Sequence, residues 1–452
     1  MTSILGWLCR GKGFSGGLHP PGRKSLAADA SIKVLPGPAA VSVPLLQHLG
    51  APCEPLVQPR QEVAWGQMIG RGTGTISAPV HSPLNGVAGV ASVTTLPNGR
   101  HVGTIPITAA GAQIGGEALW EALLGGDWPD DGFDRYQPEE ILSLIGQAGV
   151  VGMGGAAFPT HVKLTPVPGR PVDVLIVNGC ECEPYLTADY RLMIEAPRAI
   201  LAGAQLAGRA AGVERIIVAV EDDKPVAIES MRQAARARKV EFAVLEMRYP
   251  QGGERQLLPA VLGRTVPAGG LPTDVGAVVI NVGTAGAVAA AVLRRRPLTH
   301  RVVTVSGTGI VKPANLLVPI GTPYGDLVTY CGGARDSAVR VVAGGPMTGF
   351  AIGDLSVPLT KGTAGLIVLG GVEVSRPRET PCIRCGRCVD VCPMNLVPTK
   401  IALAARVADW EQAGKYHMAA CIECGCCAYA CPAGIPLAHL IRMGKAQADE
   451  ET

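Results

Sequence analysis

The chain has 452 residues, 40 of them Lys or Arg and 37 Asp or Glu, and only 17% are charged. A net charge of +3 suggests neither a nucleic-acid-binding face nor an acidic-substrate trap, and the length allows several domains with real cores. Fourteen cysteines without a secretory leader point to metal rather than disulfides, because Ile4–Leu8 is too short an apolar core for a signal peptide.

In chain order, residues 1–30 are rich in Gly and Pro and read as an extended arm. Residues 31–119 are short β segments with turns between them, among them EVAWGQMI, GTISAPVHSPLNGVAGVASV and the PNGR turn at 97–100. They predict a β sandwich of the biotinyl/lipoyl kind. A swinging-arm lysine is excluded there, since no lysine lies between Lys33 and Lys163. His19, His48 and His81 in this region read as packing or surface residues rather than ligands. Residues 120–137 are acidic and turn-rich, and read as a linker.

From 130 to 300 the pattern alternates between β and α, which predicts an α/β domain on a largely parallel sheet. A helix runs from Pro138 to about Ala148. A glycine-rich loop, GMGGAAFPTHVK at 152–163, follows it with no strand leading in, and so is not the dinucleotide fingerprint. Its glycines let backbone N–H groups approach phosphate, and a helix starting near Pro159 adds a positive end. Strands are expected at 172–177, 215–220, 240–247 and 277–281, with helices at 197–211 and 225–238. Polar residues at strand ends, Asn178 to Tyr185, Tyr249 to Glu254 and Asn281 to Thr284, sit where open α/β sheets bind ligands. Residues 275–293 match a membrane span in length, but Asn281 and the glycines suit a strand, a turn and an Ala-rich helix better. Residues 301–370 return to short strands and read as a β-grasp-like (SLBB-type) module. Residues 371–381 read as a linker.

Residues 375–445 carry the most specific signal. CIRCGRCVDVCP and CIECGCCAYACP share seven of twelve positions. Each is a C-x2-C-x2-C-x3-C-P run, the pattern that holds paired [4Fe–4S] clusters, in which the fourth cysteine reaches the other cluster. One cluster is therefore expected on Cys382, Cys385, Cys388 and Cys431, and the other on Cys421, Cys424, Cys427 and Cys392. Zinc is the alternative, but zinc sites pair C-x2-C with a distant second pair. Cys426 is outside the spacing and reads as a spare thiol. Pro398–Gly414 between the runs reads as helical, so the unit is an α-helical two-cluster ferredoxin domain.

GMGGAAFPTHVKL, NGCECEPYLTADYRLM, YPQGGERQL and NVGTAG, followed by the two cysteine runs, resemble the RnfC component of the Rnf electron-transport complex, and FSGGLHPP and ISAPVHSPLNG match as well. The resemblance covers about residues 14–445. The chain is more distantly similar to the flavin-bearing, NADH-oxidising subunit of respiratory complex I. The resemblance implies FMN, held non-covalently by Gly152, Gly154, Gly155, Lys163, Asn178, Glu254, Asn281 and Thr284. It places Phe158 and Glu183 at NAD(H). It implies a reversible ion-translocating ferredoxin:NAD+ oxidoreductase, with no obligatory acid–base residue in this chain. Its partners are then integral-membrane and iron–sulfur subunits, with ferredoxin met only through a partner, and its place the cytoplasmic face of the inner membrane, held there peripherally. Cys180 and Tyr185 depart from the complex I pattern, and Cys180 and Cys182 read as pocket-lining thiols. Two rivals share parts of the pattern: a soluble flavin/iron–sulfur cobalamin reductase of the propanediol-utilisation type, and a non-catalytic electron-transfer module.

Overall fold

The structure is a computed structural model and describes residues 13–374 and 378–450. Residues 1–12 of the expected arm, including Ile4–Leu8, and residues 375–377 at the start of the expected cluster unit lie outside the described residues.

Residues 40–109 form two antiparallel sheets. One runs Ala40–Pro44, His101–Ala109, Gly86–Ala88, Glu62–Val63, with Ser92–Thr95 also on the long strand; the other runs Cys53–Pro55, Met68–Gly72, Val80–His81. Val41, Val43, Ile105 and Ile107 from the first share a core with Ile69 and Val80 from the second, so the inner faces of both are sealed. Ile32–Val34 does not join them. It pairs in parallel with Ala314–Pro319, because Ile32 and Val34 pack on the large central core instead. The sandwich therefore starts later than residue 31.

The stretch expected as a linker at 120–137 is structured. It includes the second half of the helix Gly116–Leu123 and the short turn Phe133–Arg135, and buries Leu123, Trp128 and Phe133 in the central core. Its apolar residues outweigh its acidic ones, and the Arg294 guanidinium stacks 3.5 Å from the Trp128 ring centroid.

The central sheet is parallel, in the order Glu241–Leu245, Arg215–Glu221, Val174–Asn178, Ala277–Asn281. Every residue of the two strands at 174 and 277 is buried, as expected for strands covered on both faces. Helices Pro197–Ala211 and Val282–Leu293 cover one face. A Cβ at Gly203 would stand 1.7 Å from the Ala285 carbonyl oxygen, so glycine is what lets these two helices cross. Leu257, Leu258 and Val261 of helix Glu254–Leu262 cover the other face. The expected turn after Asn281 is absent. Asn281 is itself the N-cap, its Oδ1 accepting from Gly283 N at 2.8 Å, so the helix starts at once. No helix among the described residues is long and apolar enough to cross a membrane.

A six-stranded mixed sheet follows, in the order Ile32–Val34, Ala314–Pro319, His300–Ser306, Gly365–Gly370, Ala338–Ala343, Phe350–Ile352, with helix Tyr324–Tyr330 beside it. The C-terminal unit is helical. The single helix expected over 398–414 is two, Pro398–Arg406 and Trp410–Lys415. Ala408 takes φ +57 between them, and Asp409 caps the second through Gln412 N.

Candidate functional site

The sheet order creates a switch point. From Val174–Asn178 the chain winds outward through the strands at 215 and 241, then crosses back to lay Ala277–Asn281 on the other side. Ligands of open α/β sheets bind in the crevice that such a reversal leaves at the carboxyl ends. Asn178 and Asn281 are the last residues of the two flanking strands and stand opposite each other in register.

The glycine-rich loop is fixed to that crevice. Gly152 N donates to Phe158 O at 2.8 Å, and Thr160 N to Val150 O at 3.0 Å, closing the loop at its base. Met153 N donates to Thr284 Oγ1 at 3.0 Å, which ties the loop to the first turn of helix Val282–Leu293. A Cβ on Gly154 would lie 3.2 Å from the Asn281 Cβ and Nδ2, and one on Gly155 would meet nothing within 4 Å. Gly154 thus allows the close approach, and Gly155 leaves its side of the loop open.

Two other expected residues meet each other. Lys163, on helix Thr160–Leu164, forms a short ion pair with Glu254 at the start of helix Glu254–Leu262. Asn178 Nδ2 donates to Gly252 O at 2.9 Å, and its Oδ1 accepts from Cys180 N at 2.9 Å, so it shapes the backbone on both sides. Phe158 is half-buried at the base of the loop. Glu183 faces a different partner: it accepts from Met347 N at 3.1 Å, from Thr348 N at 2.9 Å and from the Thr348 hydroxyl. Its carboxylate anchors the turn at 345–348. Cys180 and Cys182 lie beside Gly252, and burial first, then the Glu221 carboxylate, pushes both thiols up, Cys182 to about 12.

Three further residues belong here. Asp189 Oδ2 accepts from Asn281 Nδ2 at 2.6 Å, and burial raises its pKa. It lies two residues past NGCECEPYLT, within the segment already singled out, but only the fold brings it to Asn281. Arg301 is buried, touching Met153 Sδ and donating to Thr363 O at 3.1 Å, with its Nε unpartnered. Its position in an apolar strand carried no signal. Tyr249, 1% exposed, donates its O–H to Cys424 O at 2.7 Å and so links the YPQGGE segment to the cysteine runs.

One cysteine of the first run, Cys392, stands with those of the second. Cys392, Cys421, Cys424, Cys426 and Cys427 line one cavity, with Met394, Leu396, Ile401 and Ile441 as its apolar wall. Burial first, then the thiols of Cys424, Cys421 and Cys392, pushes the Cys427 thiol up. Cys426 is fully buried against Cys424. In the first run Cys382 and Cys385 are exposed and Cys388 is buried, with its Sγ 3.2 Å from Thr399 Oγ1. Thr380 N donates to Ala433 O at 3.0 Å, which sets the start of the first run beside the chain just past Cys431. Among the described residues, no three His, Cys, Asp or Glu side chains come together as a site for a single metal ion.

Four family models match successive parts of the chain: the RnfC barrel sandwich hybrid domain (residues 12–112), the Nuo51 FMN-binding domain (145–290), the SLBB domain (302–351) and the 4Fe-4S dicluster domain (381–435). They bear out the expected multidomain α/β architecture. The C subunit of the proton-translocating ferredoxin:NAD(+) oxidoreductase complex of Clostridium ljungdahlii is 42% identical over 89% of this chain and 86% of its own length. The C subunit of the ion-translocating oxidoreductase complex of Rhodobacter capsulatus is 41% identical over 96% of this chain and 83% of its own. The C subunit of the Na(+)-translocating ferredoxin:NAD(+) oxidoreductase complex of Acetobacterium woodii is 37% identical over 88% of each. A chain of a NAD+-reducing [NiFe]-hydrogenase in the H2-reduced state aligns at TM-score 0.49 and 22% identity over 73% of this chain and 66% of that one, just under two thirds of its length. With relatives this similar over nearly its whole length, the chain belongs to the RnfC family, the C subunits of ion-translocating (Rnf-type) oxidoreductase complexes.

Proposed function

We propose that the chain is the NAD(H)-reacting subunit of an ion-translocating ferredoxin:NAD+ oxidoreductase, with FMN at the sheet switch point and two [4Fe–4S] clusters in the helical unit. One observation carries this reading: a glycine loop pinned at a topological switch point is joined, through Tyr249 and the 345–348 turn, to a cavity lined by Cys392, Cys421, Cys424, Cys426 and Cys427. Bound there, FMN would supply hydride exchange with NAD(H) and one-electron exchange with the clusters, the chemistry that couples a two-electron donor to one-electron carriers.

The residues fit these groups. Gly152, Gly154 and Gly155 present backbone beside the first turn of helix Val282–Leu293, and Gly155 leaves the space a flat ligand needs. Lys163 supplies positive charge and Glu254 holds it in place. Asn178, Asn281 and Thr284 fix the crevice walls. Phe158 and Glu183 are assigned to the NAD(H) side, Phe158 directly and Glu183 by anchoring the 345–348 turn. Cys392, Cys421, Cys424 and Cys427, the cavity cysteines at the run spacing, would hold one cubane against the apolar wall, with Cys426 beside them as a spare thiol. We assign Cys382, Cys385, Cys388 and Cys431 to the second cubane.

The second-run cluster lies nearer the crevice, since Tyr249 touches Cys424, and Gly425 packs on Met347. The first run, with Cys382, Ile383, Arg384, Cys385 and Arg387 exposed, then faces the next carrier. We assign that carrier to an iron–sulfur or integral-membrane subunit of the complex, with ferredoxin reached through it, and place this subunit peripherally at the cytoplasmic face of the membrane. As unit limits we keep the FMN unit at 130–300, the β-grasp unit at 301–370 and the cluster unit at 375–445, while residues 13–30 pack on these units rather than forming a free arm.

Anaerobic purification with iron, sulfide and FMN measured together, followed by NADH titration, tests the reading. It expects about eight iron atoms per chain, stoichiometric FMN, and flavin bleaching followed by cluster reduction. Protein with full iron but no affinity for flavin overturns it.

A further inference from the structure

The glycine loop is buttressed from outside the α/β unit. The turn Thr360–Thr363 of the β-grasp unit reaches it at three places, once directly and twice through a neighbouring residue. Lys361 Nζ donates to Gly149 O at 2.7 Å, just before the loop. A Cβ on Gly362 would stand 3.4 Å from the Cβ of Ala157, at the loop's far end. Thr363 O accepts from Arg301, whose guanidinium also touches Met153 inside the loop.

Lys361 is the hub of this contact. It is 1% exposed. Its Nζ also donates to Pro79 O at 2.6 Å, and its backbone N to Gln47 Oε1 at 2.9 Å, both in the β sandwich. One side chain thus ties three units together. No carboxylate pairs with it in any described ion pair, and its two acceptors are carbonyls. Gly149 takes φ +64, and a Cβ there would lie 2.2 Å from Pro79 O and 2.7 Å from the Lys361 Nζ, so the turn is shaped around the amine. A buried amine kept at this cost, with no catalytic contact, needs a reason in what it holds.

We propose that Lys361 is a positioning residue for FMN binding: by clamping Gly149 to the sandwich, it preforms residues 152–157 at the switch point before the cofactor arrives. This rests on the reading that the loop binds FMN. The groups facing Lys361 are His48, His81 and Cys53 of the sandwich. Burial holds His48 down at about 4 and His81 at about 3, and burial raises the Cys53 thiol, so all three stay neutral at physiological pH. Burial also lowers Lys361 to about 7. The clamp is therefore charged on the acid side of neutrality and loses its charge above it, when its hydrogen bonds weaken.

The test is FMN affinity, by flavin fluorescence quenching, on the full chain with its clusters intact. Lys361→Met is expected to bind FMN about tenfold more weakly, roughly the worth of one charge-assisted hydrogen bond, with unchanged iron and sulfide. Amide hydrogen exchange at 152–157 in flavin-free protein is expected to rise. Lys361→Gln, which keeps one donor, falls between. The unaltered protein is expected to lose FMN affinity between about pH 6.5 and about pH 8.5, and Lys361→Met to lose that dependence. If Lys361→Met does not fold, Lys361→Gln and the pH series decide. Equal FMN affinity and equal loop exchange in variant and parent overturn the clamp alone. Absence of flavin binding by the iron-replete parent overturns the function reading instead.

Discussion

The phenol of Tyr249 donates to the carbonyl oxygen of Cys424 at 2.7 Å, joining the loop that leads to Glu254 with the second cysteine run. Tyr249 is buried, and its pKa is raised first by burial and then by Glu183 and Cys182, so it stays a donor at any working pH. Its backbone pairs with Leu18 in both directions at 2.8 Å, which fixes the ring. Tyr249→Phe removes the hydrogen bond and keeps the packing. The expected cost in global stability is about 1 kcal/mol. A redox titration followed by electron paramagnetic resonance should show the potential of the second-run cluster displaced and that of the first-run cluster unmoved. Equal displacement of both, or of neither, argues against Tyr249 as a specific neighbour of that cluster.

Cys392 comes from the first run yet lines the cavity of the second. Leu396 N lies 3.4 Å from its sulfur, a backbone donor placed as ligand thiolates need. Cys392→Ala is expected to lower iron from about eight to about four atoms per chain. The cluster that survives should be the first-run one. Retention of the second-run signal with loss of the first would refute the crossed assignment.

The cysteine runs were legible because their spacing specifies their chemistry; the glycine loop and the strand ends were visible as places where ligands bind, and only the family resemblance tied them to FMN. Alternation of β and α marked the sheet, but not its order; that Asn178 and Asn281 flank the switch point follows only from the crossing back to the strand at 277. The acidic look of 120–137 hid Trp128 and Phe133, whose burial outweighs the surrounding charge. Ile32–Val34 reads like any short strand, and its partner is nearly three hundred residues away. Long-range pairings of polar side chains, such as Glu183 with the 345–348 turn or Lys361 with Gly149, leave no periodicity to read.

Three buried histidines predict loss of stability in acid. Burial lowers His48 to about 4, and His81 and His300 to about 3. In the unfolded chain each titrates near 6.5. Above about pH 6.5 neither state holds the proton, so these residues contribute no pH dependence. As pH falls below that value the unfolded chain takes up protons that the fold refuses, until about pH 3 to 4. Each histidine then costs about 1.4 kcal/mol per pH unit. Buried Glu181, Asp189 and Glu221, whose pKa values are raised chiefly by burial, act in the opposite sense. The clean readout is therefore a difference. Urea unfolding of the anaerobic protein at about pH 7 and about pH 5.5 should lose roughly 1 kcal/mol less in His300→Gln than in the parent. An identical loss means His300 is protonated in the fold.

Two glycines in the N-terminal segment set a last test. Gly16 takes φ +71, and a Cβ there would stand 2.6 Å from the Cys392 carbonyl oxygen; Gly17 takes φ +80, with its Cβ 2.7 Å from the Tyr249 carbonyl oxygen. Gly17 N donates to Val391 O at 2.9 Å, and Arg248 bonds Phe14 O at 2.9 Å and stacks on the Phe14 ring. The segment is thus wedged between the YPQGGE loop and the first cysteine run, beside the cavity that Cys392 lines. Gly16→Ala must strain the backbone and push on Cys392, at a cost of about 1–3 kcal/mol. Gly13→Ala, with open space around it and no left-handed backbone, is the control. Gly16→Ala should raise hydrogen exchange at 14–18 and speed chelator removal of iron from the second-run cluster, while Gly13→Ala does neither. Matching behaviour of the two variants would mean that the segment does not shield that cluster.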